Sequence, residues 1–299
     1  LGQDIAKNGG VFRATDSLWQ EFGSQRVINA PISESLMSGM ATGMALSGLK
    51  PIVEFQFSGF MLPAIEQLMI HAGRMRSRTE GRLHCPLVFR APYGAGIGAP
   101  EHHSESPEAL FAHIPGVRVL IPATPERAHG LLLAAIHDPD PVVILEPKKL
   151  YHKEHNSIIL GQHTQLDRAF IEQTGDDVTI IAWGAMLPLV KQAANHCSNI
   201  NCEVIDLCSI YPIDQTTIIE SVKKTGRALV VHEAHKNLGV GAEILAIIAE
   251  NCTPYLLSPP RRLTGFDMPM PYFKREQEFI PKVNQITNAI YQLMEYEYA

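Results

Sequence analysis

The chain has 299 residues, 45% of them apolar and 19% charged, which is the balance of a globular protein with room for two domains. Its net charge of -6 comes without a block of Lys and Arg, which excludes the basic footprint of a nucleic-acid or anionic-membrane binder. No apolar run approaches the roughly 18 residues of a membrane span. The five cysteines lack the paired spacing of a disulfide framework or a zinc site, which favours a reducing compartment.

Apolar runs alternate with helical patterns in the first half of the chain. Strands are predicted at residues 51–57, 87–91, 117–121 and 142–145, and helices at 34–46, 63–75 and 125–137. Thr124 followed by Pro125 is a good N-cap pair for the third helix. Strands separated by helices predict a parallel sheet covered on both faces.

The rhythm stops in a polar stretch at residues 152–156 and resumes after Gly175, so we predict a linker at residues 156–175. The later strands are predicted at residues 178–183, 202–207 and 228–232, and the later helices at 187–196, 215–224, 240–250 and 283–294. The sequence thus predicts two α/β domains, residues 1–155 and residues 176–299.

A glycine-rich stretch at residues 94–98 directly follows the predicted strand at 87–91. A dinucleotide-binding fingerprint needs its third glycine one position later and a helix start, but Pro100 and polar residues follow instead. We therefore predict a loop beside an active site and no nicotinamide site. His102 and His103 come next; they are either solvated loop residues or place a proton donor at the carboxyl edge of the sheet.

Glu34 stands at the start of the predicted helix 34–46, which carries small residues such as Gly39, Ala41 and Gly43. A first-turn glutamate commonly serves only as a favourable partner for the helix dipole. A helix rich in small residues also lets a ligand or another backbone approach closely. The residues alone leave both interpretations open, and the sequence contains no GxSxG elbow, HExxH motif or P-loop.

Ordered blocks occur along nearly the whole chain: residues 8–15 (NGGVFRAT), 31–34 (PISE), 49–54 (LKPIVE), 100–104 (PEHHS), 145–151 (LEPKKLY), 202–207 (CEVIDL) and 224–234 (KTGRALVVHEA). In this order they resemble the beta subunit of the decarboxylating component of 2-oxo acid dehydrogenase complexes. The resemblance implies a transketolase-like α/β architecture, in which a pyrimidine-binding domain with a parallel sheet precedes a transketolase C-terminal-type domain. It also implies thiamine diphosphate as the cofactor.

The resemblance assigns roles to three residues by position. Glu34 matches the glutamate that contacts the aminopyrimidine ring of the cofactor, Phe60 matches the aromatic residue packed against that ring, and His103 matches the active-site histidine. Glu34 would favour the cofactor tautomer that removes its own C2 proton, and the thiazolium would serve as the electron sink for decarboxylation. His103 would stabilise or protonate oxyanionic intermediates and assist acyl transfer to a lipoyl arm.

Relatives in this family often hold a structural potassium ion with main-chain oxygens and an aspartate. The matching positions here are Leu87, Ala135, Asp138 and Asp140. We therefore expect a potassium site at these residues.

The chain begins at Leu1 without Met, and we expect an N-terminal segment to be missing from it. Relatives begin this region with Gly-Glu-Asp or Gly-Glu-Glu, where this chain has Gly2, Gln3 and Asp4. The glutamate of the relatives lies near the cofactor and is thought to help relay protons. Gln3 cannot exchange a proton at neutral pH, which argues against such a relay here.

Thiamine enzymes anchor the diphosphate through Mg²⁺ with a Gly-Asp-Gly motif and a later Asn. The closest string here, Gly175-Asp176-Asp177, predicts a turn before a strand. The resemblance therefore implies an alpha subunit that holds Mg²⁺ and the diphosphate in an α2β2 heterotetramer, and a lipoyl-bearing transacylase core as a further partner. We expect the cytoplasm of a bacterium, or the mitochondrial matrix if the source is eukaryotic.

Residues 9–15, 76–79, 100–104, 184–186 and 265–271 look most like bacterial pyruvate dehydrogenase, whereas 106–111 and 145–151 look more like the branched-chain enzyme. We expect pyruvate, with 2-oxoisovalerate and acetoin as alternatives, because one extra methylene discriminates by only about 1–3 kcal/mol. Two other classes stay open. One is a single-chain transketolase relative, which would need an additional N-terminal domain for the diphosphate. The other is a non-catalytic assembly subunit.

Overall fold

The computed structural model describes residues 1–151 and 158–296, which form two five-stranded sheets covered by helices. The polar stretch at residues 152–156, predicted to begin the connection between the domains, lies outside these ranges. Within them no helix is both long and apolar enough to cross a membrane.

The strands are β1 (Ile52–Glu54), β2 (Val88–Tyr93), β3 (Arg118–Leu120), β4 (Val142–Pro147), β5 (Phe170–Gln173), β6 (Val178–Ala182), β7 (Cys202–Asp206), β8 (Ser209–Tyr211), β9 (Ala228–Val231) and β10 (Arg261–Leu263). The α-helices are α1 (Leu18–Phe22), α2 (Glu34–Leu46), α3 (Met75–Arg78), α4 (Glu108–Ala112), α5 (Pro125–His137), α6 (Met186–His196), α7 (Gln215–Thr225), α8 (Val240–Cys252), α9 (Glu276–Phe279) and α10 (Val283–Met294).

The first sheet has the strand order β1-β2-β4-β3-β8, and β1 to β4 are parallel. Apart from the paired charges Arg90 and Glu146, the central strands β2 and β4 are apolar and buried, as expected for parallel strands covered by helices. The last strand, β8, pairs antiparallel with β3 although it belongs to the C-terminal half of the chain. The sequence analysis did not predict β8.

The second sheet has the order β10-β9-β6-β7-β5, parallel except at its edge, where β5 runs antiparallel to β7. Strand β5 lies inside the predicted linker at residues 156–175, so part of that stretch is a sheet edge in the structure. The short strand β10 was also not predicted.

One hydrophobic cluster continues from the first sheet into the second. It joins Phe89 and Leu145 of the first sheet to Trp183, Leu207 and Val230 of the second half. A separate cluster packs α6 and α10 on the far side of the second sheet. The two sheets therefore share apolar packing and are not connected only by the chain.

Three predicted helices have the bounds that the structure gives them: α2, α5 and α10. The helix predicted at residues 63–75 is present but irregular, because this stretch combines 3-10 turns with a π-helical turn at Gln67–His71. The backbone approaches the neighbouring loop closely there, since a Cβ at Gly116 would collide with the carbonyl oxygen of Gly73.

Candidate active site

Glu34 is the first residue of α2 and lies half-buried at the N-terminal end of that helix. Met37 and Ala41 pack the inner face of α2 into the core, which sets the direction of the helix. Ser35 Oγ donates to the carbonyl oxygen of Pro63 at 2.9 Å and ties the helix start to the 3-10 helix Ser58–Ala64. No hydrogen bond to the Glu34 carboxylate occurs among the described residues, so this group is available to a ligand.

An aromatic cluster follows β1, in the loop and 3-10 helix that contain Phe57 and Phe60. The ring of His103 lies edge-on to both, with ring centroids 4.4 Å from Phe57 and 5.2 Å from Phe60. A Cβ at Gly59 would collide with the carbonyl oxygen of His102, so only glycine allows the two segments to lie this close. Phe60 and His103, predicted from distant motifs, are therefore brought into contact.

His103 lies in a short 3-10 turn, Glu101–His103, in the loop that follows β2. Its backbone N–H donates to the carbonyl oxygen of Pro100 at 2.9 Å, and Ser104 Oγ donates to that of Ala99 at 3.2 Å. The ring nitrogen Nδ1 is buried and has no hydrogen-bond partner in the described part of the chain. A buried imidazole nitrogen without a partner is unfavourable unless a ligand or water meets it, so this atom is a candidate binding position.

The glycine-rich loop between β2 and His103 is held by charged groups that the sequence analysis did not single out. Lys148 is buried, donates to the carbonyl oxygen of Gly94 and lies over the Phe57 ring. Glu233 accepts from the backbone N–H of Ala95 at 3.2 Å. Burial lowers the pKa of Lys148 and raises the pKa of Glu233, and the two opposite charges offset part of this effect.

A second layer of buried polar groups lies beneath this loop. Trp183 Nε1 donates to Glu108 Oε1 at 3.3 Å, and the Trp183 ring stacks on His232 with centroids 5.1 Å apart. Burial raises the pKa of Glu108 to about 8 and lowers the pKa of His232 to about 3, so both are neutral at pH 7. Burial, with Glu108 and Glu233 nearby, also raises the pKa of Tyr93. Glu108 and His232 therefore add little charge to the buried layer next to this loop.

Gln3 lies beside Gly2, whose backbone bridges Asn29 and Glu54 at the end of β1. Burial raises the pKa of Glu54, although its carboxylate pairs with Arg90 at 2.6 Å. Gln3 therefore lies at the same sheet edge as the aromatic cluster, next to a buried ion pair.

The residues matched to a potassium site meet at the opposite edge of the first sheet, before β2 and β4. Asp138 Oδ1 accepts from Arg118 at 3.1 Å, and Asp140 pairs with Arg76 at 2.9 Å. The carbonyl oxygens of Leu87 and Ala135 already accept backbone hydrogen bonds at 3.0 and 3.2 Å. Among the described residues no group of three or more His, Cys, Asp and Glu is arranged to hold a metal.

Comparison with known proteins follows the same division of the chain. The family described as "Transketolase, pyrimidine binding domain" matches residues 1–153, and "Transketolase, C-terminal domain" matches residues 167–286. The pyruvate dehydrogenase E1 component subunit beta of Acholeplasma laidlawii is 44% identical over 296 residues, which cover 98% of this chain and 90% of that protein. This chain belongs to the transketolase-type beta subunits of 2-oxo acid dehydrogenases.

Other members of this beta-subunit family are similarly related. The 2-oxoisovalerate dehydrogenase subunit beta of Pseudomonas aeruginosa is 40% identical over 312 residues, covering 99% of this chain and 89% of that protein. Among solved structures, a chain described as "Split gene transketolase, inactive beta4 tetramer" has a TM-score of 0.78 at 20% identity, over 98% of this chain and 91% of that one. This second likeness concerns the fold, and it agrees with the predicted transketolase-like α/β architecture.

Within this beta subunit, Glu34, Phe60 and His103 lie on neighbouring elements at the carboxyl edge of the first sheet. This agrees with the rule that open parallel sheets bind ligands beyond the carboxyl ends of their strands. The acids and the lysine that hold the loop are buried residues more than 50 positions away from it in the sequence. The family resemblance did not assign them a role, and local patterns contain no signal for them.

Proposed function

We propose that this chain is the beta subunit of a thiamine-diphosphate-dependent pyruvate dehydrogenase and supplies the aminopyrimidine side of its active site. The observation that carries the proposal is the grouping of Glu34, Phe60 and His103 at one sheet edge in a chain of this family. Pyruvate is preferred to 2-oxoisovalerate because the relative at 44% identity is named for pyruvate, while the branched-chain relative is 40% identical.

The residues present fit the aminopyrimidine ring of that cofactor. Glu34 offers a carboxylate without a hydrogen-bond partner among the described residues, and Phe60 offers an aromatic face; His103 beside them offers a buried ring nitrogen to the substrate. Stacking on Phe60 would contribute about 0.5–1.5 kcal/mol beyond simple burial. When bound, the cofactor supplies the electron sink for decarboxylation of the 2-oxo acid.

The protein groups have separate tasks in this proposal. Glu34 would donate or accept one hydrogen bond at the aminopyrimidine ring and so favour one of its proton positions; this role requires a site that excludes water, not a strong base. His103 gives or accepts a proton at Nδ1, which has no partner within residues 1–151 and 158–296, and stabilises negative charge that develops on a substrate oxygen. Phe57 and Phe60 exclude water from the imidazole.

An exposed apolar stripe beside Glu34 supports the proposal of an alpha subunit as partner. Leu36 and Met40 lie one turn apart on α2 and are 53% and 38% exposed, and Ile32, just before the helix, is 76% exposed. Leu62 in the adjoining 3-10 helix extends the stripe. An exposed apolar patch next to the half-buried carboxylate of Glu34 is typical of a surface that another chain covers.

We propose that the alpha subunit occupies this stripe in an α2β2 heterotetramer and holds Mg²⁺ and the diphosphate. The acyl group would then pass to a lipoyl-bearing transacylase core. The proposed compartment is the bacterial cytoplasm, or the mitochondrial matrix for a eukaryotic source; the free, buried cysteines suit a reducing environment.

The test is steady-state kinetics of the beta chain reconstituted with the alpha subunit of the same source. Glu34→Gln and His103→Ala should each lower kcat for pyruvate by at least about 100-fold while the tetramer stays intact in size-exclusion chromatography. Glu66 is exposed and follows the 3-10 helix Ser58–Ala64, so the control variant Glu66→Gln should leave kcat unchanged. Normal decarboxylation by both active-site variants would mean that the chain only assembles the complex.

Two further measurements separate the remaining alternatives. Steady-state rates of the reconstituted enzyme with pyruvate and with 2-oxoisovalerate identify the substrate. A higher kcat/KM for 2-oxoisovalerate would contradict the proposal that pyruvate is the substrate. The beta chain alone, with cofactor and Mg²⁺, should be inactive because the described residues and the sequence provide no Gly-Asp-Gly site for the diphosphate. Full turnover by the isolated chain would contradict the shared active site.

Potassium at Leu87, Ala135, Asp138 and Asp140 is a separate proposal. It is opposed by the two arginine pairs, because both carboxylates are already neutralised. Thermal unfolding in KCl and in choline chloride at equal ionic strength tests it. A midpoint that rises with KCl alone would support a bound potassium ion; identical midpoints would exclude one.

A further inference from the structure

The loop that leads from β2 to His103 has an unusual set of partners, because the C-terminal half of the chain binds its backbone. Glu276 accepts from the N–H groups of Gly96 at 2.8 Å and Gly98 at 3.0 Å, one with each carboxylate oxygen. Glu233 accepts from the N–H of Ala95 at 3.2 Å. Two acids therefore hold three closely spaced amides of one loop.

Glu276 is well suited to fix this loop. It is only 2% exposed, so both hydrogen bonds form away from water, where charge-assisted bonds are strong. The two glycines have φ values of 136° and 62°, which side chains rarely adopt, and a Cβ at Gly96 would lie 2.8 Å from that of Lys149. Glycine at positions 96 and 98 therefore allows the backbone conformation in which both N–H groups reach the Glu276 carboxylate.

The contacts continue from the glycines to the turn that contains His103. The Glu101 carboxylate lies close enough to the Tyr272 phenol to raise the pKa of that phenol, and the backbone of Phe273 lies against Gly98. On the other side, Gly59 presses on the backbone of His102. The His103 turn is thus held between the first domain and the segment Tyr272–Glu276 of the C-terminal half.

We propose that Glu276 is a positioning residue for His103, acting through Gly96 and Gly98. The inference rests on the proposed catalytic role of His103 and adds that the C-terminal half sets the position of this histidine. A displacement of about 1 Å at a catalytic group can cost on the order of 100-fold in rate, so losing two anchors of the loop should be visible in kcat. Binding of the aminopyrimidine ring depends on Glu34 and Phe60 and should be spared.

The experiment uses the reconstituted complex with the alpha subunit. Glu276→Ala should lower kcat by roughly 10- to 100-fold, with little change in KM for pyruvate or in thiamine diphosphate affinity. Glu278→Ala is the matched control, because Glu278 is exposed on the same short helix, and it should behave as the wild type. A wild-type kcat for a folded Glu276→Ala complex would overturn the inference.

A double variant gives the readout that a merely structural role would not produce. If Glu276 acts through His103, Glu276→Ala added to His103→Ala should cause no further loss of kcat, because the positioned group is gone. A further loss equal to the one seen in the wild-type background would contradict positioning. If His103→Ala itself keeps full activity, the proposed function fails; if only Glu276→Ala keeps it, this inference alone fails.

Glu276→Gln protects the test against misfolding. The amide keeps the volume of the side chain and one acceptor oxygen, but its NH2 group faces the second backbone N–H. Its kcat should lie between those of the wild type and Glu276→Ala at an unchanged thermal midpoint of the complex. A wild-type kcat for this variant would also count against the role of Glu276.

Discussion

Glu108 illustrates what burial does to a single carboxyl group. Its side chain is 0% exposed, Oε1 accepts from Trp183, and Oε2 has no partner among the described residues. Burial raises its pKa from 4.5 to about 8, with a smaller contribution from the charge of Glu233. At neutral pH Glu108 is therefore protonated in the folded chain and ionised in the unfolded chain.

The raised pKa predicts a pH dependence of stability. The folded state binds the extra proton, so the stabilising contribution of Glu108 is complete below pH 4.5 and is lost as pH rises through about 8. Thermal midpoints should fall between pH 6 and pH 9 in the wild type, and less steeply in Glu108→Gln. Glu250→Gln, an exposed control on α8, should keep the wild-type slope. Equal slopes in all three proteins would mean that Glu108 is ionised when folded.

At the level of elements, Asp214 connects a helix start to a strand start. Its Oδ1 accepts from the N–H of Thr217 at 3.2 Å as the N-cap of α7. Its Oδ2 accepts from Thr217 Oγ1 at 2.7 Å and from the N–H of Ala169 at 3.1 Å, just before β5. The cap is a local sequence pattern, whereas the bond to Ala169 joins residues 45 apart.

Removing this side chain should destabilise the fold measurably. Asp214→Ala should lower the free energy of unfolding by about 1–2 kcal/mol, since a buried cap and a second anchor are lost together. Asp214→Asn should lose less, because asparagine is also a good N-cap. Urea unfolding of the three proteins checks this order, and Asp176→Ala, at an exposed ion pair, should change little. An Asn variant no better than Ala would contradict the capping role.

The whole molecule is joined across its two halves by ionic as well as apolar contacts. Arg127 on α5 donates to Asp206 of β7 at 3.1 Å and to Glu172 of β5 at 2.5 Å, and it lies over the ring of Phe170. Asp206 is fully buried, and burial raises its pKa to about 7. Arg127 therefore helps to offset two acids of the second sheet, together with Lys191, which pairs with Glu172 at 3.1 Å.

Removing Arg127 should destabilise both halves together. Arg127→Met leaves Asp206 buried without its cation, which should cost about 3–5 kcal/mol of unfolding free energy. Adding Asp206→Asn to that variant should recover part of the loss, because the uncompensated charge is gone. Calorimetry of the wild type and the two variants measures both effects. A loss below 1 kcal/mol for Arg127→Met, on the order of an exposed pair, would show that Arg127 does not offset a buried charge.

The sequence by itself determined most of the longer helices and central strands, and the family. The helices α2, α5 and α10 follow from apolar spacing and end signals, which are properties of neighbouring residues, and the order of the motif blocks identified the relatives. Glu34, Phe60 and His103 were predicted as site residues from the family resemblance. Their catalytic roles stay predictions for the kinetic tests.

Only the tertiary structure decided how distant segments meet. The pairing of β8 with β3 and the bonds from Glu276 to the loop before His103, 180 and 178 residues apart, have no local pattern. The physical reason is that periodicity and caps report interactions within a few residues. A buried carboxylate, in contrast, takes its role from the backbone N–H groups that folding brings to it from the far half of the chain.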